Sequence, residues 1–279
     1  MKIGFLLHRQ FKKLSFEDVV KWGSENGFAA IDIRDEWPEN AQDFLSKYNM
    51  EIGATQVGMN IFTPNSKELE ENIKKVCDTI EATAQIDVKV IVAFLSPIRR
   101  ELSIADNFKI FEKVFPRILD CAQSSDVKIA FENWPDGNLA YSPETWDKIF
   151  EAFPSKNLGL CFDPSHLYWL GVDYVRAVKE FGDRIYHVHA KDTEILKDGL
   201  YRFSIFSRQF PEYAFAWAWW RYRLPGFGEI NWTKFISALY EVDYNGTISI
   251  EHEDPFFSRN IDMVKKGFIL AKRKLEQYI

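Results

Sequence analysis

The chain is sparing with cysteine and histidine, with three of the first (Cys77, Cys121 and Cys161) and five of the second in 279 residues. Three cysteines at wide spacing form neither a disulfide framework nor a zinc–thiolate pattern, and they fit a reducing compartment. Positive charge is not in excess either. Lys and Arg number 35 against 41 Asp and Glu, and the net charge of −6 argues against a nucleic-acid partner, which needs a basic face. No stretch approaches the roughly 20 apolar residues of a membrane helix. The opening MKIGFLLHRQF meets His8, Arg9, Lys12 and Lys13 too soon for a signal peptide and reads as a first strand. These absences predict a cytoplasmic protein with no membrane partner. No glycine-rich turn follows that strand, where His8-Arg9-Gln10 stands, which counts against a dinucleotide-binding sheet. No phosphate-binding glycine loop is evident elsewhere. Nor does any linker or low-complexity stretch divide the chain, so one domain is expected over 1–279, long enough to bury a large core unaided.

What the chain has is alternation. Short apolar runs lie at 2–7, 29–33, 51–56, 88–94, 127–132, 158–163, 184–190 and 246–251, with amphipathic runs near 15–26, 38–48, 65–85, 103–123, 142–153, 173–182, 231–241 and 258–277. Start signals support several helices. Ser15 precedes FEDVVKW with Asp18 three residues on, and Ser142-Pro143 opens ETWDKIF. Strand–helix alternation carried eight times predicts a closed parallel (β/α)8 TIM barrel, with a doubly wound open sheet as runner-up. About forty residues, 191–230, break the rhythm after strand seven, where a few are usual. Aromatics make up 16% of the chain, with nine Trp and 24 Phe, and this insertion is dense in them. It is expected to be a lid over the site, an interface in a homo-oligomer, or both.

Four predicted strand ends carry metal-ligand side chains: Glu132 on strand five, Asp163 on six, His189 on seven and Glu251 on eight. Neighbouring parallel strands would bring them to one arc of the rim. Period-two alternation puts Ala130, Cys161, His187 and Ser249 on their face, and Ile129, Phe131, Leu160, Phe162, Ile185, Ile248 and Ile250 on the other. Ile185 is placed on that other face, and a phase slip would move it. A single acid at a strand end is usually a helix cap or an ion-pair partner; four on consecutive strands in one phase point to a metal. Three carboxylates and an imidazole suit one divalent ion, Mn2+ foremost, with Mg2+, Co2+ or Zn2+ also compatible. Two glutamates at non-adjacent places of the arc suit proton removal and return next to a carbonyl, through a metal-stabilised enediolate. Lys191 and Asp192, just past His189, either orient ligands, touch substrate or are solvated loop charges. His187 sits one pleat deeper, as a buried supporting histidine. His8 and His252 carry no assignment.

The segments IAFEN (129–133), CFDPSH (161–166), HVHAKD (187–192) and SIEHED (249–254), with PGFGEINW (225–232) between the last two, resemble the xylose isomerase-like sugar phosphate isomerases and epimerases. That family includes D-tagatose 3-epimerase and the inositol-catabolism isomerases. The resemblance implies that Glu132, Asp163, His189 and Glu251 bind the metal, and that Glu132 and Glu251 also carry protons on either side of the substrate. It implies that His166 sits over the substrate oxygens and that Arg221 or Arg223 binds substrate; Lys191 is a further candidate from its place just past His189. The expected activity is isomerisation or epimerisation of a free keto-sugar or related carbohydrate. One alternative is β-elimination of a keto-glycoside. A more distant one is an endonuclease IV-like hydrolase, which needs a three-zinc cluster richer in histidine than this chain.

Overall fold

Each apolar run forms a strand, and each amphipathic run a helix with its apolar stripe turned to the sheet. The computed structural model describes residues 1–34, 37–206 and 216–279. The strands are β1 (Lys2–Leu6), β2 (Ala30–Arg34), β3 (Glu51–Gly58), β4 (Val90–Phe94), β5 (Lys128–Glu132), β6 (Leu158–Phe162), β7 (Ile185–Ala190), β8 (Asp192–Ile195), β9 (Ala216–Trp217), β10 (Trp220–Arg223) and β11 (Thr247–Ile250). Eight of them close a barrel in the order β1-β11-β7-β6-β5-β4-β3-β2, and every neighbouring pair with a recorded register is parallel. The helices are α1 (Phe16–Glu25), α2 (Ala41–Lys47), α3 (Ser66–Gln85), α4 (Ile104–Ser124), α5 (Pro143–Ala152), α6 (Pro164–Trp169), α7 (Tyr174–Phe181), α8 (Lys197–Phe203), α9 (Trp232–Glu241) and α10 (Ile261–Leu275). The expected caps form: the Ser15 side chain accepts from Asp18 N, and Pro143 opens α5. The open doubly wound sheet is excluded because β1 pairs on one side with β2 and on the other with the last strand, β11, which closes the sheet.

The predicted alternation has the predicted polarity. Ile129, Phe131, Leu160, Phe162, Ile248 and Ile250 join the core between barrel and helices, while Ala130 and Cys161 pack with Ala54 and Val92 inside the barrel. Ile185 shares parity with His187 and His189, yet it lies in the outer core. The β6–β7 register explains this, because Leu160 pairs with Ile185 but Cys161 pairs with His187, so the phase slips by one residue there.

The described part of the insertion is not a bare loop. Strands β8, β10 and β9 form a small antiparallel sheet, and α8 follows β8. Residues 207–215 of the expected lid or interface lie outside the described residues. Asp192 ties the insertion to the barrel: its carboxylate accepts from the backbone N–H of Thr193, Gly226 and Ile230 and from Trp232 Nε1. A Cβ at position 228 would stand 2.3 Å from Asp192 Oδ1, so glycine is required where the chain returns. Asp192 is therefore a structural anchor and not a solvated charge.

One expectation is overturned. Cys77 on α3 and Cys121 on α4 form a disulfide, with Cα atoms 5.6 Å apart, and Cys161 alone is free and buried. Their 44-residue separation hid the pairing, because only the packing of α3 on α4 brings them together. With two of its three cysteines bonded, the chain gives no sign of a reducing compartment. No helix among the described residues is long and apolar enough to cross a membrane.

Reduction of the Cys77–Cys121 bond is expected to lower the unfolding free energy by about 2–4 kcal/mol, as for a cross-link closing a loop of this length. Urea titrations with and without reductant read it, and coincident midpoints would show that the bond adds nothing.

Candidate metal centre and active site

The barrel order places β11, β7, β6 and β5 side by side, so their C-terminal ends form one arc. Glu132 ends β5, Asp163 follows β6, His189 is the penultimate residue of β7, and Glu251 follows β11. All four are buried, and one donor atom from each lies within 4.8 Å of the others. His189 Nδ1 stands 3.3 Å from both Glu132 Oε2 and Glu251 Oε2. The structure thus brings together all four residues proposed from sequence.

These residues fit a divalent ion. Glu132 Oε2, Asp163 Oδ2 and His189 Nδ1 are buried and make no well-formed hydrogen bond among the described residues, meeting only ionisable neighbours at 3.2–3.3 Å, although buried polar atoms of this kind are costly and uncommon. The donor set is hard and oxygen-rich. Its three carboxylates gather negative charge in a buried site beside the cations Lys191 and Arg34, an arrangement to which a divalent cation is attracted. The helix-cap reading of Asp163 is also true, without competing: Oδ1 accepts from Ser165 N at 2.8 Å to cap α6, and Oδ2 faces the site, 3.2 Å from Lys191 Nζ.

Surrounding groups hold these side chains in place. Asn133 clamps Asp163 twice, accepting from its N–H at 2.8 Å and donating to its carbonyl at 2.9 Å. Asn138 donates to the Glu132 carbonyl at 2.7 Å. Beneath the site, His187 Nε2 lies 2.7 Å from Asp32 Oδ2, and the same oxygen is 3.8 Å from His189 Nε2. His187 is the supporting histidine expected, and Asp32 stands between the two rings. Burial and Glu251 disfavour a charged Glu132, but His189 and His166 outweigh them and hold its pKa at about 2. Burial likewise opposes charge on Glu251, while Lys191, His189 and Arg34 hold it well below the usual carboxylate range. Burial also works against an imidazolium at His189, yet Cys161, Glu132 and Glu251 lift its pKa well above the ordinary value.

A cavity of about 300 Å3 opens over the arc. Glu132, Glu251, His166 and Lys191 face it on the polar side, and Trp134, Trp169, Trp220 and Tyr222 form much of its wall. Trp169 and Trp220 stack with ring centres 4.6 Å apart. His166 Nε2 lies 3.3 Å from Glu132 Oε1, and its Nδ1 is 2.7 Å from the Tyr222 hydroxyl. Lys191 is buried, so it is not a solvated loop charge; its Nζ lies 2.8 Å from Glu251 Oε2.

The arginines differ from expectation. Arg221 Nε pairs with Glu194 at 2.8 Å and Arg223 Nε with Asp254 at 2.8 Å, and neither side chain lines the cavity. Along β10, alternation turns Trp220 and Tyr222 to the cavity and the arginines to the other face. The cavity also takes Arg34, whose Nη2 meets Glu251 Oε1 at 3.1 Å, and Glu253. A signal for Arg34 and Asp32 existed: in AIDIR they share one parity, opposite Ile31 and Ile33. The His8 and His252 rings lie 5.1 Å apart, tilted to one another, beside the site, with pKa values pushed down to about 3 and about 4, mainly by burial.

A family model described as Xylose isomerase-like TIM barrel matches residues 14–268. An uncharacterized protein of Bacillus subtilis is 36% identical over 134 residues, a match spanning 46% of this chain and 40% of that protein. An inosose dehydratase of Geobacillus kaustophilus is 23% identical, spanning 86% of this chain and 80% of its own. Among solved structures, the IOLI protein with a binding zinc atom superimposes with a TM-score of 0.76 at 21% identity, covering 100% of this chain and 99% of the other. A D-psicose 3-epimerase of Clostridium cellulolyticum gives 0.77 at 14% identity, with the same coverage. Likeness at these identities establishes the shared fold.

Asp163→Ala is expected to lose most bound divalent metal while the barrel stays folded, since it removes a donor from the shared arc. Metal analysis beside circular dichroism reads both; unchanged metal content in a folded variant would sink the assignment.

Proposed function

The chain belongs to the xylose isomerase-like TIM barrel family, and on that premise we propose that it is a divalent-metal-dependent enzyme that isomerises or epimerises a keto-sugar or related small carbohydrate. The observation that carries this reading is the placement of two glutamates in one cavity on either side of His189. The second oxygen of each has a different partner: Glu132 Oε1 faces His166, and Glu251 Oε1 faces Arg34. Two ionised carboxylates that approach from different directions suit proton removal on one face of a carbon and return on the other. A divalent ion held by Glu132, Asp163, His189 and Glu251 supplies Lewis-acid stabilisation of negative charge on substrate oxygens. Mn2+ is the proposed ion, with Mg2+, Co2+ and Zn2+ served by the same donors.

The chain's own groups supply the rest. Tyr222, His166 and Glu132 form a hydrogen-bonded line along which a proton taken up at Glu132 Oε1 can be shared with the imidazole. Arg34 holds Glu251 Oε1 toward the cavity. The stacked Trp169 and Trp220, with Trp134 at 37% exposure, give a wall for the apolar face of a carbohydrate and keep water from the polar side.

A second reading, elimination instead of epimerisation, is favoured by Glu253. This third carboxyl lines the same cavity, and burial raises its pKa although the neighbouring Lys191 ammonium opposes that shift, so the cavity holds a further acid–base group beside Glu132 and Glu251. The inosose dehydratase relative supports keeping it. Both readings share the first proton abstraction.

Glu132→Gln and Glu251→Gln keep side-chain size and one oxygen but cannot accept the proton. Each is expected to retain part of the metal and to lose roughly 10²–10⁴-fold in turnover. A keto-sugar screen with Mn2+ in deuterated water reads exchange at the carbon next to the carbonyl. One variant should still exchange from one epimer while failing to form the other, and normal epimerisation by both would end the two-base proposal.

A further inference from the structure

Among the charged groups of the cavity, one cation is sealed from solvent. Lys191 is 2% exposed, and its Nζ stands 2.8 Å from Glu251 Oε2, 3.1 Å from Glu253 Oε2 and 3.2 Å from Asp163 Oδ2. The ring of Tyr222 lies over it, 4.4 Å from Nζ to the ring centre. Its direction follows from the strand, because residues 187, 189 and 191 continue one inward phase past the end of β7. An ammonium placed only to grip a substrate would reach into open cavity. This one is spent on three carboxylates, and two of them, Asp163 and Glu251, belong to the four-residue donor set.

We infer that Lys191 is a built-in counter-cation of the metal centre. It shares Asp163 and Glu251 with the divalent ion, stabilises the gathered carboxylates when no ion is bound, and weakens the ion's binding when one is. This rests on the proposed reading that the four donors hold a divalent ion. The cause is electrostatic. Carboxylates packed within a few ångströms in a low-dielectric site repel strongly, and a buried ammonium at hydrogen-bond distance offsets that repulsion. A dication entering the same arc meets a fixed positive charge that cannot withdraw, because Glu253 anchors it on one side and Tyr222 covers it on the other. Glu253 belongs to none of the ligand groups, so it is free to keep the ammonium in place. The consequence is a barrel that folds without metal and exchanges its ion readily.

Lys191→Met keeps the length of the stem and removes the charge. At constant pH, melting of the metal-free protein and calorimetric titration with Mn2+ alone give two readouts that do not involve turnover. The metal-free variant is expected to melt lower than wild type, to bind Mn2+ at least tenfold more tightly, and to gain more in melting temperature from the ion. Lys191→Arg, which restores a cation, should move all three values back toward wild type. If wild type binds none of Mn2+, Mg2+, Co2+ or Zn2+, the metal-centre reading itself fails, and this inference with it. If wild type binds Mn2+ but Lys191→Met binds it equally or more weakly, the metal centre stands and the counter-cation role is overturned. A variant that folds only with Mn2+ supports the inference, since the ion then replaces the ammonium. Should Lys191→Met and Lys191→Gln both fail to fold with Mn2+ present, Lys191 is a packing residue and the inference is wrong.

Discussion

Holding Glu132, Asp163, Glu251 and the His189 ring within 4.8 Å of one another, all buried, is the constraint that the rest of the structure serves. Like charges at that spacing push the strand ends apart unless backbone and neighbours oppose them. The closed barrel supplies the first opposition, since each of the four strands is hydrogen-bonded on both sides and cannot splay. Asn133 and Asn138 supply the second by tying the backbone at Asp163 and Glu132. Cations supply the third: Lys191 from below the aromatic cover and Arg34 from the rim.

The insertion extends that arrangement outward. Asp192 gathers four donors and so fixes where the chain leaves β7 and where it returns before α9. Between those points β10 lies against β8, and its alternation decides which side chains meet the cavity. Tyr222 then reaches His166, while Arg221 and Arg223 are neutralised by Glu194 and Asp254 on the far face. The same strand that closes the cavity thereby orients the imidazole beside Glu132. An aromatic wall over a polar arc is a division of labour suited to carbohydrate, whose ring edges are polar and whose faces are not.

Fold and chemistry separate cleanly here. The barrel is shared with epimerase and dehydratase relatives alike, so it does not choose between them. Glu132 and Glu251 are held ionised, and Glu253 is pushed the other way by burial in the same cavity.

The sequence by itself determined the barrel and its arc of donors. Eight apolar runs became eight barrel strands with ends shifted by at most two residues, because period-two and helical periodicities are local and each run carries its own. The four donors were legible for the same reason, as strand-end residues of one parity. Tertiary structure alone decided what those residues meet. The Cys77–Cys121 bond needed α3 packed on α4. The slip that turns Ile185 outward lies in the β6–β7 register, which no single strand encodes. Tyr222, and not its arginine neighbours, reached the cavity because β10 pairs with β8 in one phase, and a shift by one residue would have exchanged them. Lys191 looked equally like a loop charge until closure of the barrel buried it among Asp163, Glu251 and Glu253. Periodicity along a chain says which way a side chain points; only the register between strands says what stands opposite it.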